Sequence, residues 1–223
     1  MLKKLFLSPF FTLVVFMVLW LSFVGGVYHW FPEDVFRVTE EGEVIEIVTH
    51  LGYVLLIGML LFVCDDYKDR IKSWGIFLFL SLCAFLREAG IQHHLSKTDT
   101  TPFKSRFFLN PNNPWGEKLV FGLVLLVILA SVLYLAYKYA KPLVVSFFKL
   151  NTVTWSIAVL CVVGVFSKWI DRFPSNYRKM HDGVRLDEST QWLCSMLEES
   201  SEMFLPYIAM IILWQYHLLL KKD

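Results

Sequence analysis

Six stretches about twenty residues long, each nearly free of charge, leave this 223-residue chain few ways to fold. They run approximately over Pro9–Tyr28, Val44–Cys64, Trp74–His93, Leu119–Tyr139, Leu150–Ile170 and Glu202–Leu220. At ~1.5 Å per residue, about 20 residues of helix cross a ~30 Å hydrocarbon core. No water reaches that core, so every backbone N–H and C=O must be satisfied within its own segment, which a helix achieves. The predicted fold is therefore all-α, a polytopic integral membrane bundle of about six transmembrane helices. Hydrophobic residues make up 56% of the chain, with neither a compositional break nor an internal repeat, so 1–223 reads as a single integral membrane domain. A formal net charge of +1 offers no basic surface for nucleic acid.

The start, MLKKLFLSPFFTLVVFMVLWLSFVGGVYHW, has the basic lead and apolar run of a signal peptide. Its apolar part reaches spanning length and no small-x-small site follows, so a retained first span is expected. Cys64, Cys83, Cys161 and Cys194 form no C-x-x-C pair and suit buried small hydrophobes.

Orientation follows from the basic residues of short loops and flanks. Lys3 and Lys4, then Lys68, Arg70 and Lys72, then Lys138, Lys141 and Lys149, then Lys221 and Lys222 all fall on one side. That side is predicted to be cytoplasmic, in a cell (inner) membrane, with both termini inside. Three longer loops then face outward. The second of them contains TPFKSRFFLNPNNPWGEK, where Phe103, Phe107 and Phe108 alternate with Lys104 and Arg106. Such a segment can lie at headgroup level with its cations on lipid phosphate. An ordinary surface loop is the plainer alternative. Asn110–Pro114 reads as a turn before the next helix.

Arg87 and Glu88 sit about 20 Å into the third apolar segment, where a charge costs on the order of 3 kcal/mol. With the predicted topology, other costly residues gather at the same outward level. Glu43, Glu46 and His50 share one face of the second helix. His93 and His94 close the third, and Lys168 and Asp171 close the fifth. Glu198, Glu199 and Glu202 open the sixth, which Asp187 can cap and Pro206 should bend. Glu46, His50, Arg87, Glu88, Glu199 and Glu202 are expected to share one cavity.

Imidazole and carboxylate together suit a divalent metal, zinc above all, with His50, one of His93 and His94, and Glu46 or Glu202 as ligands. Adjacent histidines point about 100° apart on a helix, so only one of the two fits a given ion. Glu199 or Glu88 would be the general base for a metal-bound water, and Arg87 would hold an anionic group. Lys104 and Arg106 would meet the headgroup of a membrane lipid. Plainer readings exist for each: Glu43 as a solvated helix-terminal acid, His50 as a core histidine, and Arg87 with Glu88 as part of a buried ion-pair network.

Histidine and acid at one end of a bundle resemble, in that respect alone, the membrane hydrolase superfamily of alkaline ceramidases and progestin/adiponectin receptors. Those are seven-helix proteins with a zinc site of three histidines. Six helices are counted here and the H-x-x-x-H signature is missing, so no residue is carried over. G-x-S-x-G, H-E-x-x-H, Walker A and G-x-G-x-x-G motifs are also absent.

The leading expectation is a membrane-embedded, metal-dependent hydrolase or transferase acting on a lipid or lipid-linked substrate at the outer face. One alternative is a small proton- or cation-coupled transporter or channel subunit using the same carboxylates. The other is a non-catalytic assembly or sensor protein whose buried charges only fix helix packing.

Overall fold

The computed structural model describes residues 2–30, 44–63, 74–91 and 105–220. Every regular element among them is helical: α1 (Leu2–Phe6), α2 (Phe11–Trp30), α3 (Val44–Val63), α4 (Trp74–Glu88), α5 (Ser105–Leu109), α6 (Trp115–Phe148), α7 (Thr152–Met180) and α8 (Glu188–Leu220). Five of these, α2, α3, α6, α7 and α8, are long and apolar enough to cross a membrane. The protein is an all-α, multi-pass integral membrane protein.

The expected count of six is corrected at α4. This helix has 15 residues and ends at Glu88, giving a rise of about 22 Å, short of the ~30 Å core. Gly90 terminates it in the left-handed region at φ 62°, with the Gly90 N–H donating to the Arg87 carbonyl at 3.1 Å. Glycine takes that conformation without steric cost, which makes it a common helix stop. Arg87 and Glu88 thus lie on the last turn of a helix, where the negative end of the dipole favours the guanidinium.

Three helices outrun their predicted cores. The KYAKPLVVSFF stretch, expected to be a loop, continues α6 through Pro142 to Phe148. A tight reversal follows. The Asn151 N–H donates to the Ser146 carbonyl and the Leu150 N–H to the Phe147 carbonyl, both at 3.1 Å, the paired bonds of a Schellman stop. Asn151 then caps α7, its side chain accepting from the amides of Val153 and Thr154 at 3.1 and 3.3 Å. The N-cap expected at Asp187 is present: its carboxylate accepts from the Ser189 and Thr190 hydroxyls and from the Thr190 amide. α8 runs on through Pro206 without a break.

The chain divides into two compact units, one formed by Met1–Leu56 with Ser146–Asp223 and the other by Ile57–Val145. In the first, α2, α7 and α8 pack together, with α7 against α8 the most extensive pairing. Phe16, Val159, Val163 and Ile208 form its buried centre, with Trp20, Phe204 and Ile212 around it. In the second unit, α5 is docked through one aromatic residue. Phe107 is fully buried and meets Phe108 and Phe121 edge-on, and the Asn113 amide donates to the Phe107 carbonyl at 2.7 Å. Asn110–Pro114 forms the expected turn.

Candidate functional site

The densest group of ionisable side chains described in the first unit lies where α7 meets α8. Glu198 and Glu202 are one turn apart on α8 and so share a face. Opposite them, the Ser167 hydroxyl donates to Glu202 Oε1 at 2.6 Å, and Lys168 Nζ is ion-paired with the same oxygen. The ammonium also lies 3.8 Å from Glu198 Oε1. Both carboxylates are mostly buried, whereas the lysine side chain is 50% exposed. A lysine can do this because its stem packs along apolar surface while the head reaches out.

The next residues of α8 turn toward α2. Trp20 Nε1 donates to the Ser200 hydroxyl at 3.0 Å, and Ser201 returns its own proton to the Leu197 carbonyl at 2.6 Å. These small hydroxylated residues let α2 approach α8 closely, as small residues do between membrane helices.

A second polar node lies at the other end of the same three helices. Ser156 Oγ donates to Gln215 Oε1 at 2.6 Å, so its own oxygen is left to accept from the Thr12 hydroxyl, also at 2.6 Å. Gln215 Nε2 donates to Thr12 Oγ1 at 3.4 Å and to the Phe6 carbonyl at 3.1 Å. Each hydroxyl therefore gives one bond and takes one, closing a three-membered ring among fully buried side chains. Thr152 Oγ1 donates nearby to the Leu7 carbonyl at 2.6 Å.

An apolar cavity of about 330 Å³ lies among α2, α3 and α8, lined by Phe16, Leu19, Val48, Met203, Tyr207 and Ile211 among others. The Tyr207 hydroxyl on its wall donates to the Val48 carbonyl at 2.8 Å.

The residues predicted to form one site fall as follows. Glu46 and His50 are i, i+4 partners on α3, with His50 Nε2 3.8 Å from Glu46 Oε1 and both half-buried. Glu202 is ion-paired with Lys168 and accepts from the Ser167 hydroxyl. Glu199 is half-buried on α8. Arg87 and Glu88 belong to the second unit, where Arg87 Nη2 lies 3.0 Å from Glu88 Oε1. Arg106 is exposed on α5. Glu43, His93, His94 and Lys104 lie outside the described residues. Among the described residues, no three His, Cys, Asp or Glu side chains gather as a metal would need.

Two features escaped the sequence reading. Lys168 was visible only as a helix-end cation, not as the partner of Glu202. The Thr12–Ser156–Gln215 ring carries no charge and so stands out in the sequence less than the ionisable residues do. Its signal was an amide and two hydroxyls in otherwise apolar runs.

No family model, no curated protein and no solved structure matches this chain.

Proposed function

We propose that the protein is a membrane-embedded enzyme acting on a lipid or lipid-linked substrate at one face of the bundle. The observation that carries this reading is one-sidedness. Ser167 and Ser156 are eleven residues apart on α7, about 16 Å along the helix. Between the charged cluster and the hydroxyl ring, the α2–α7–α8 interface is filled by Phe16, Val159, Val163 and Ile208. That layer of the α2–α7–α8 interface is apolar, which counts against a proton or cation relay running through it. A charged cluster at one level, with an apolar cavity in the same helical unit, suits chemistry on a lipid better than passage through the bundle.

In this scheme Glu199 or Glu88 is the general base and Arg87 holds an anionic group. Lys104 and Arg106 meet the headgroup. His50, Glu46 and one histidine of the 93–94 pair hold zinc, a part of the proposal that elemental analysis of the purified protein tests directly. The face is outward if both termini are cytoplasmic, as the basic flanks imply. Lys149→Cys should then react only from inside the cell and Asn110→Cys only from outside.

The deciding experiment places the purified protein in nanodiscs of total polar lipid from the expression host and follows the lipids by mass spectrometry. A lipid species should be consumed, and Glu199→Gln or Glu88→Gln should stop that consumption while the protein still inserts. Unchanged lipids, or consumption indifferent to both substitutions, would overturn the enzymatic reading.

A further inference from the structure

From the cluster between α7 and α8 we infer an exchangeable-proton site centred on Glu198, with Lys168, Glu202 and Ser167 as the fixed frame that holds it. This adds to the proposed enzyme a proton-exchanging group beside the general base assigned to Glu199 or Glu88, and it rests on that reading, but its test reads no activity. The two readings can therefore fail separately.

The argument starts from how one ammonium is divided between two carboxylates. Lys168 Nζ is committed to Glu202 Oε1, and Ser167 donates to that same oxygen at 2.6 Å. A lysine cation and a hydroxyl on one oxygen are the partners that suit a carboxylate. Glu198 stands further from the ammonium, at 3.8 Å, although its side chain is only 20% exposed. A neighbour that is mostly desolvated and only loosely paired is the member that gains most from a proton.

Asp171 on α7 and Glu199 and Glu202 on α8 lie near enough to Glu198 to act on its charge, as does Lys168. Nearby on α8, α2 brings Phe23, Val24 and Val27 against Trp192 and Met196, an apolar wall. α3 carries Glu46 and His50, which pair with each other, and it meets α8 at Pro206 and Tyr207. Within the cluster, Glu198 carboxylate plus one proton becomes a neutral carboxylic acid, leaving one ammonium opposite one carboxylate. The reverse step delivers that proton to water or to a substrate heteroatom. Lys168 is half-exposed, and the proposed exchange of the proton runs along the lysine side. Lys168 is a positioning residue here, because its charge sets how readily Glu198 releases the proton.

Infrared difference spectroscopy of the full chain in nanodiscs, titrated with acid and base, tests this. One component of the carbonyl stretch of protonated carboxylic acids should be present in the wild type, be lost in Glu198→Gln and persist in Glu199→Gln. In Lys168→Gln the midpoint of that band should move to higher pH by about one unit or more, since an opposing cation is lost from beside the acid. A band that survives Glu198→Gln unchanged would overturn the assignment. Should Glu198→Gln fail to insert, Lys168→Gln decides alone, and an unmoved midpoint there would also overturn it.

Discussion

Gly52 on α3 lies directly against the ring of Tyr207 on α8. A Cβ at position 52 would sit 2.8 Å from Tyr207 Cε2 and 2.8 Å from Pro206 Cγ. Neither neighbour can move aside cheaply. The proline is fully buried, and the tyrosine is held by its bond to the Val48 carbonyl at 2.8 Å. Gly52→Ala should therefore destabilise the protein by roughly 1–3 kcal/mol, the range for overpacked interiors. Thermal unfolding in detergent would show it, and Gly58→Ala, where a Cβ meets nothing within 4 Å, is the control.

Leu150 adopts φ 54° at the reversal between α6 and α7, the position a glycine takes in most helix stops of this kind. The left-handed conformation costs a β-carbon-bearing residue roughly 1–2 kcal/mol. The leucine side chain is more than half exposed, so it returns little by packing. Leu150→Gly should raise the unfolding temperature, and Leu150→Val, branched at Cβ, should lower it. A glycine variant no more stable than the parent would show that the leucine earns its place through contacts with lipid.

The hydroxyl ring should behave as a coupled unit. Ser156→Ala and Gln215→Leu each break the cycle and leave the remaining members with unmet donors or acceptors. Made together, they remove both ends of the 2.6 Å bond at once. A double-mutant cycle measured by unfolding in lipid–detergent micelles should give a coupling energy of about 0.6–1.7 kcal/mol, the range for hydrogen bonds between membrane helices. A coupling of zero would mean that the three side chains are near one another without acting together.

The fold was legible where hydropathy alone decides it. The long apolar runs became α2, α3, α6, α7 and α8, and the capping role of Asp187 could be read from its place before an apolar helix. Lengths were less legible. Apolar cores mark only the lipid-crossing part, whereas α6 continues through Pro142 and α7 through Pro174 on helix-forming residues that hydropathy ignores. The third run misled for a local reason: Gly90 interrupts its helix with a residue in the left-handed region. At the site, the face shared by Glu198 and Glu202 followed from helical spacing. Their partner did not, because spacing within one helix carries no information about rotation against another. Lys168 meets Glu202 through the packing of α7 on α8, and only coordinates display that.

Outside the membrane-spanning residues, Asp187 gives the protein an acid-sensitive end. Hydrogen bonds from the Ser189 hydroxyl, then the Thr190 hydroxyl and amide, pull its carboxyl from 3.8 down to about 2. A depressed folded value means stabilisation that is complete above the unfolded value and is lost as pH falls through the folded one. Asp187→Ala should thus lower the unfolding temperature at neutral pH, and the gap from wild type should close between about pH 4 and pH 2. A gap that stayed constant over that range would show that the cap works through something other than its charge.

Whether the charged cluster is scaffold or working site can be separated by removing its partners singly and together. Lys168→Met takes the ammonium away from Glu202, whose side chain is only 10% exposed. Breaking a fully buried pair costs roughly 3–5 kcal/mol; with Lys168 half-exposed, about 1–3 kcal/mol is expected. Adding Glu202→Gln removes the charge that lost its partner, and stability should return to within about 1 kcal/mol of wild type, since replacing both members of a buried pair is often neutral. Turnover of the lipid that the proposed activity would consume is then the discriminating measurement. A purely structural pair predicts that turnover follows stability and recovers in the double variant. A frame that positions Glu198 predicts that folding recovers while turnover does not, because Gln and Met together supply neither the fixed carboxylate nor the cation beside it. We expect the second outcome, with unfolding temperature and turnover measured on the same preparation.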